Sequence, residues 1–221
     1  HYTGSIVSGS LFSANRTYRY VNEQGGVEAV SANSATPITD SSGMGGSIGD
    51  DVPAENLYKI AKSYGQRTAL YKKLGFDAVT IHMSYRAQVP GQLLSPLTNF
   101  RTDEFGGSFE NRCRFPLMML EEVKKVAGND MLIEIQFSAE EPEGGYTLEE
   151  GIEFLKLAQK YVDIVQVRSP DGDPNHPIPF ELNPTPFLDI TAKIKAANLD
   201  FVVSNVGGWF YPEMAEKAIA E

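Results

Sequence analysis

Side chains that could carry acid–base and anion-binding chemistry follow a short β-branched segment near residue 80. His82 ends the apolar run "DAVTIH", and Ser84, Tyr85 and Arg86 come directly after it. Imidazole and phenol groups can transfer protons, and a guanidinium can bind an anion. A lone histidine at a strand end is often only a hydrogen-bonded structural residue, but a neighbouring phenol and cation favour catalysis.

Three further polar clusters follow apolar segments later in the chain. Their members are polar, charged or glycine residues: Gln136, Ser138, Glu140, Glu141 and Glu143; then Arg168, Asp171, Asp173 and His176; then Ser204, Asn205, Gly207 and Gly208.

Each of these clusters also has a simpler interpretation. The acidic run "EEPEGG", residues 140–145, is typical of a solvated loop. Asp171, Asp173 and His176 could ligate a metal, but their spacing matches no established ligand pattern, so no metal is predicted. Gly207 and Gly208 either present backbone N–H groups to a phosphate or allow tight packing.

Alternating strands and helices position these clusters. The hydrophobic periods predict strands near 77–83, 131–137, 163–168 and 200–205. They predict helices over 54–75, 109–128, 147–161, 186–198 and 212–221. This alternation indicates right-handed βαβ units and an α/β fold with a parallel sheet. The carboxyl ends of such strands share one edge, so we expect the polar clusters to meet there.

The first 52 residues differ from this pattern. They are rich in Ser, Gly, Thr and Asp and show no period, which predicts an irregular excursion within one domain that spans residues 1–221. A short hairpin is predicted within residues 5–21.

Composition excludes several classes of protein. The formal charge of −10 argues against nucleic-acid and anionic-membrane partners. No apolar run could cross a membrane, and no signal peptide is visible. The single cysteine, Cys113, excludes a disulfide framework and fits a small apolar filler in a reducing, cytoplasmic setting. Because the chain starts at His1 and stops at Glu221 inside a helical pattern, we expect a fragment.

Two segments carry a resemblance to a known family. "GFDAVTIH", and then "LLSPLTNFRTDEFGGSFENRCRF" from Leu93 to Phe115, resemble the old yellow enzyme family of FMN-dependent ene-reductases. The second segment departs notably at Phe105, where the family has Tyr. "HYTG" resembles the family's turn after the third barrel strand, and "VGGWFYPEMAE" resembles the turn and helix after the seventh.

The resemblance implies a (β/α)8 TIM barrel that is incomplete in this chain. The four predicted strands correspond to the fourth to seventh barrel strands, and the other four strands lie outside the sequence. It also implies a function: reduced FMN passes a hydride to the β-carbon of an unsaturated carbonyl compound, and NAD(P)H reduces the flavin again. An oligomer is compatible with this interpretation.

Roles for the strand-end residues follow from the same resemblance. His82 and Tyr85 fall on the paired positions that hold the substrate carbonyl, although the second residue is usually His or Asn. Alternatively, Tyr85 is the proton donor and Arg86 takes part in anion binding.

The flavin itself involves later positions. Gln136 replaces an Arg that usually lies near the flavin pyrimidine, and Gly207 and Gly208 match the FMN phosphate region. His176 resembles a residue of 2,4-dienoyl-CoA reductase-like relatives, which also carry an iron–sulfur cluster beyond the barrel.

The segment from Leu93 to Phe115 is predicted to be a long loop over the barrel mouth. Arg101, Asp103 and Asn111 could cross-link it by hydrogen bonds and ion pairs, and so could Glu104 and Arg112. We therefore expect this loop to hold the strand end rigid rather than to take part in the reaction.

Two alternative functions stay open from the sequence. One is a flavin-free (β/α)-barrel lyase or isomerase that uses His82 and Tyr85 as acid and base. The other is a truncated barrel without catalytic activity.

Overall fold

The computed structural model describes residues 6–11, 16–35, 46–86, 88–168 and 187–220. Its strands are β1 Ser8–Ser10, β2 Thr17–Val21, β3 Val27–Ser31, β4 Ala78–His82, β5 Leu132–Ser138, β6 Ile164–Arg168 and β7 Val202–Asn205. Its helices are α1 Ala54–Lys73, α2 Val89–Leu94, α3 Phe109–Ala127, α4 Leu148–Ala158, α5 Leu188–Ala196 and α6 Pro212–Ala220. A 3-10 turn, Ser84–Arg86, follows β4.

A five-stranded parallel sheet with the order β1-β4-β5-β6-β7 forms the centre of the fold. The predicted α/β class and the order of the four later strands are confirmed. The expectation of only four strands is wrong by one, because β1 pairs with β4 through Ser8 beside Ala78. The short sequence "SGS" has no apolar period, and its pairing depends on contact with a strand about seventy residues away.

An antiparallel hairpin of β2 and β3 is the second sheet. It lies further along the chain than the hairpin predicted within residues 5–21. Asn22 closes its turn, since its Oδ1 accepts hydrogen bonds from the backbone N–H groups of Gln24 and Gly26. Gly25 between them adopts φ of 80°, a left-handed conformation that favours glycine. The described part of residues 1–52 thus contains β1 and this hairpin.

Capping residues fix where the helices begin. The hydroxyl of Ser108 accepts a hydrogen bond from the N–H of Asn111 and so caps α3, as predicted. Thr147 and Glu150 form a reciprocal capping box at the start of α4. These caps set the helices that cover the outer face of the sheet.

The short helix α2 was not predicted; it precedes the segment from Leu93 to Phe115 and shares only the first two residues of that segment. The sequence does not indicate this helix, because Pro90 and Gly91 are poor helix formers. Pro90 is tolerated because it lies in the first helical turn. Gly91 is needed for close approach, since a Cβ there would collide with the carbonyl oxygen of Met83.

The two faces of the parallel sheet have different chemistry. One face is apolar and fully buried against the helices: Val79, Ile81, Ile133, Ile135, Phe137, Val165 and Val167. The other face, which would form the interior of a closed barrel, is polar near the carboxyl ends of its strands: Thr80, His82, Glu134, Gln136, Gln166 and Arg168. Register therefore brings the polar residues of β4, β5 and β6 side by side.

The loop after α2 is cross-linked as expected. Arg101 Nη1 donates to the carbonyl oxygens of Gly49 and Val52 at 2.7 and 2.6 Å, and the guanidinium also pairs with Asp103. Arg112 donates to the carbonyl oxygen of Leu94 at 3.0 Å. These bonds join the loop to the segment before α1 and to the end of α2, which supports its structural role.

The surroundings of Phe105 explain why this loop can have Phe where the family has Tyr. Its ring is fully buried and packs edge-on against Tyr58, with 5.5 Å between ring centroids. An apolar ring leaves no hydroxyl to satisfy in this position.

Candidate active site

His82 lies at the carboxyl end of β4, beside Gln136 of β5 in the strand register. Its side chain is half-buried, and its pKa falls from the usual value near 6.5 to about 4. Burial is the main cause because it disfavours the charged imidazolium, and the positive charge of Arg168 adds to the effect. His82 is therefore neutral at physiological pH and offers one ring N–H as a hydrogen-bond donor.

Tyr85 reaches the same place through an unusual backbone conformation. Its φ and ψ are 60° and 18°, and Arg86 also has a positive φ of 57°. Such left-handed conformations cost roughly 1 kcal/mol or more for residues other than glycine and cluster at functional sites. The turn places the Tyr85 ring 5.6 Å from the His82 ring, at an angle of 56°. The two residues thus form a pair at the mouth of the sheet.

Arg168, at the end of β6, completes this group. Its Nε donates to the Tyr85 hydroxyl oxygen at 2.8 Å, and its guanidinium carbon lies 5.4 Å from the centre of the Tyr85 ring. Its Nη1 donates to Gln166 Oε1 at 3.2 Å. The sequence places Arg168 among the polar residues at strand ends but indicates no role for it. Its place two residues after Gln166, on the same face of β6, is the signal that could have identified it.

Arg86 has a different environment from the one expected. Its guanidinium is buried and pairs with Glu141 at 3.1 Å, and both side chains are only 2% exposed. Ser95 also donates to Glu141, at 2.6 Å. Burial raises the pKa of Glu141, while Ser95 and Arg86 oppose that effect. The interpretation of residues 140–145 as a solvated loop is therefore wrong for Glu141, which links the loops after β4 and β5.

Gln136 and the two glycines lie along the same edge of the sheet. Gln136 is half-buried, and within the described ranges its side-chain amide has no hydrogen-bond partner. Gly207 and Gly208 follow β7 with φ of 107° and 73°, conformations that suit glycine. Trp209 Nε1 donates to Asn205 Oδ1 at 3.1 Å and so holds this turn to the end of β7.

Some expected features fall outside this group. His176, Asp171 and Asp173 lie outside the described residues. Where side chains are described, no three His, Cys, Asp or Glu residues are placed to hold a metal. Burial raises the pKa of the Cys113 thiol to about 12, which fits an apolar filler and argues against a nucleophile. None of the described helices is long and apolar enough to cross a membrane.

The environment of His82 gives a prediction that needs no substrate. We expect its imidazole to titrate near pH 4 in the folded protein. The unfolded chain binds the proton more readily, so His82 should lower the free energy of unfolding as pH falls from about 6.5 to 4. Proton NMR of the Cε1–H signals would measure this titration, with His82→Gln identifying the signal among the three histidines. A midpoint near 6.5 would contradict the buried placement.

Residues 17–175 match the family described as NADH:flavin oxidoreductase / NADH oxidase. The chain is 38% identical over 177 residues to an NADH oxidase of Thermoanaerobacter brockii, a match that covers 77% of this chain and 27% of that protein. It is 32% identical over 122 residues to a cinnamate reductase of Clostridium sporogenes, a match that covers 48% of this chain and 18% of that protein. The chain thus spans less than a third of the length of these two relatives.

Solved structures show the same architecture. A 2-naphthoyl-CoA reductase in complex with 2-naphthoyl-CoA superposes with a TM-score of 0.69 and 27% identity, over 75% of this chain and 26% of that one. An old yellow enzyme homologue from Zymomonas mobilis superposes with a TM-score of 0.57 and 17% identity, over 96% and 54% of the two chains. The second likeness concerns the fold alone. The fold is part of a TIM barrel, as the sequence resemblance implied.

Proposed function

This chain belongs to the NADH:flavin oxidoreductase / NADH oxidase family, and we propose that it functions as an FMN-dependent reductase of C=C bonds conjugated to a carbonyl group, with NAD(P)H as the reductant. The observation that carries the proposal is the pair formed by the His82 imidazole and the Tyr85 phenol at the end of β4. A carbonyl oxygen gains negative charge as such a bond is reduced, and donors fixed at that oxygen stabilise the charge.

The residues along the strand ends fit a flavin. The Gln136 amide can both donate and accept, which suits the polar edge of the ring system. The turn at Gly207 and Gly208 can turn backbone N–H groups toward a phosphate. When bound, reduced FMN supplies the hydride for the β-carbon of the substrate. Gln136 carries no charge, and Arg168 ends the neighbouring strand β6, so we propose that Arg168 supplies the positive charge at this mouth.

His82 and Tyr85 have distinct tasks in this proposal. His82, neutral at physiological pH, donates its ring N–H to the carbonyl oxygen of the substrate. Tyr85 either donates a second hydrogen bond to that oxygen or passes its proton to the α-carbon. Arg86 stays in its buried pair with Glu141 and supports the turn that carries Tyr85. We propose that His176 is also a catalytic residue.

The names of two relatives suggest the class of substrate. Cinnamate and 2-naphthoyl-CoA each have a carbonyl group conjugated to carbon–carbon unsaturation, one as a carboxylate and one as a thioester. We propose an unsaturated acid or its thioester for this protein as well.

The test is to purify the flavin-loaded protein and follow its absorbance while NADH or NADPH and then an unsaturated acid or thioester are added. We expect a flavin spectrum that bleaches with the nicotinamide and returns with the alkene, together with the saturated product. A protein without flavin that still converts a substrate would favour the lyase or isomerase alternative. A flavin that oxygen reoxidises but no alkene does would overturn the proposed reaction.

A further inference from the structure

Arg168 brings a positive charge to the mouth of the sheet, beside His82 and Tyr85. Its side chain is half-buried, and its guanidinium carbon lies 5.4 Å from the centre of the Tyr85 ring. Both of its described hydrogen bonds go to neutral acceptors, since Nε donates to Tyr85 Oη at 2.8 Å and Nη1 donates to Gln166 Oε1 at 3.2 Å. Neither acceptor compensates the charge.

The fully buried arginines of this chain have different partners. Arg86, Arg101 and Arg112 each form an ion pair with a carboxylate. No carboxylate in the part of the chain that the structure describes forms such a pair with Arg168. Glu134 on the same face of the sheet bonds to Gln166 Nε2 at 3.2 Å, so an uncharged amide stands between this carboxylate and the guanidinium. A charge withdrawn from water is normally paired, so Arg168 is suited to receive an anion from outside the chain.

The shape of the guanidinium shows where such an anion would bind. Its Nε and Nη2 lie on one edge of a planar group, with parallel N–H bonds that match the two oxygens of a carboxylate. Tyr85 occupies Nε, whereas Nη2 has no hydrogen-bond partner among the described residues. An anion on Nη2 therefore lies next to the Tyr85 hydroxyl, within the mouth where the proposed function places the substrate.

We infer that Arg168 determines substrate specificity by binding a carboxylate of the substrate, so that the protein reduces unsaturated acids as free carboxylates in preference to their thioesters and esters. The inference deepens the proposed function and rests on it. It narrows the two substrate classes proposed above to one.

The chemistry of the reaction gives a reason for this cation. When a hydride adds to the β-carbon of an unsaturated carboxylate, the electron pair of the C=C bond moves onto the α-carbon and the carboxylate, giving an enediolate with two negative charges. A proton that comes ultimately from water then forms the C–H bond at the α-carbon and restores the carboxylate. A thioester gives only a singly charged enolate. His82 is neutral and supplies a hydrogen bond without charge, so the second negative charge needs the Arg168 cation.

The experiment compares one acid with its uncharged derivatives in the flavin-loaded protein. The substrates are cinnamate, its methyl ester and its N-acetylcysteamine thioester, and kcat/KM is measured for each. Removing one group that stabilises developing charge typically costs about 10²–10³-fold, so we expect Arg168→Gln to lose that factor on cinnamate. On the two uncharged substrates it should lose about tenfold at most, which is the worth of an ordinary hydrogen bond.

Two further variants control for charge and for general damage. Arg168→Lys keeps a cation at the end of β6 and should recover part of the rate on cinnamate. Arg114 is an exposed arginine on α3, and Arg114→Gln should leave the preference for cinnamate over its ester unchanged. Activity of Arg168→Gln on the uncharged substrates shows in the same protein that the fold and the flavin site are intact.

A binding measurement gives a readout that does not depend on turnover. The saturated acid 3-phenylpropionate cannot be reduced, and its binding to the oxidised protein is followed through the flavin absorbance. We expect Arg168→Gln to weaken this binding by about 10–100-fold, since hydrogen bonds to charged groups are worth that much. The binding of 3-phenylpropionamide, which carries no charge, should hardly change.

Three outcomes would overturn the inference. Equal losses on cinnamate and on its uncharged derivatives in Arg168→Gln would show that Arg168 serves the flavin or the fold rather than a substrate carboxylate. Unchanged binding of 3-phenylpropionate in this variant would show that no carboxylate binds there. A wild-type protein that reduces the ester and the thioester but not cinnamate would refute the inference alone, whereas one that reduces none of the three would also count against the proposed function.

Discussion

Replacing His82 by alanine is expected to slow alkene reduction by about 10²–10³-fold, because one donor to a developing oxyanion is typically worth that much. The reduction of the flavin by NAD(P)H should hardly change, since no oxyanion forms on a substrate carbonyl in that half-reaction. His82 suits this task because burial and the neighbouring Arg168 lower its pKa to about 4, so it donates as a neutral group. Stopped-flow absorbance of the flavin measures the two half-reactions separately.

A matched variant distinguishes the loss of the hydrogen-bond donor at position 82 from the loss of side-chain volume. His82→Asn keeps an N–H donor at the end of β4 and should retain more alkene reduction than His82→Ala. Equal losses in both half-reactions of His82→Ala would instead indicate that flavin binding is damaged. A wild-type rate of alkene reduction in His82→Ala would show that this strand end does not carry the chemistry.

Breaking the buried ion pair is expected to have the largest effect on stability. Glu141→Ala removes the carboxylate that pairs with the buried Arg86 guanidinium, and breaking such a buried pair costs about 3–5 kcal/mol in the free energy of unfolding. The residue also accepts the Ser95 hydroxyl, whose bond would be lost with it. Urea unfolding followed by circular dichroism measures the change.

Two controls test whether burial is the cause. Lys156 and Glu153 form an exposed ion pair at 2.6 Å on α4, and Lys156→Ala should cost less than about 1 kcal/mol. The double variant Arg86→Met with Glu141→Met removes both charges and should be more stable than Glu141→Ala alone. A loss for Glu141→Ala no greater than that for Lys156→Ala would mean that the buried pair contributes little.

The positions of the four later strands and of most helices could be read from the sequence because they depend on short-range patterns. Apolar periods locate β4 to β7, and right-handed crossovers leave a parallel sheet in chain order as the outcome. The same reasoning places His82 and Gln136 at one edge, since parallel strands end on the same side. Caps such as Ser108 are also local, because donor and acceptor lie within one helical turn.

Only the tertiary structure decided which polar groups meet. Tyr85 and Arg168 are 83 residues apart in the chain, and Arg86 and Glu141 are 55 apart. Neither pair leaves a periodic signal, because a hydrogen bond between distant residues constrains only their types. The sequence also gives no sign of the left-handed backbone at Tyr85 and Arg86, since neither residue is a glycine. That turn sets Tyr85 beside His82 and leaves Arg86 buried with Glu141, because side-chain direction follows backbone dihedrals that the surrounding packing selects.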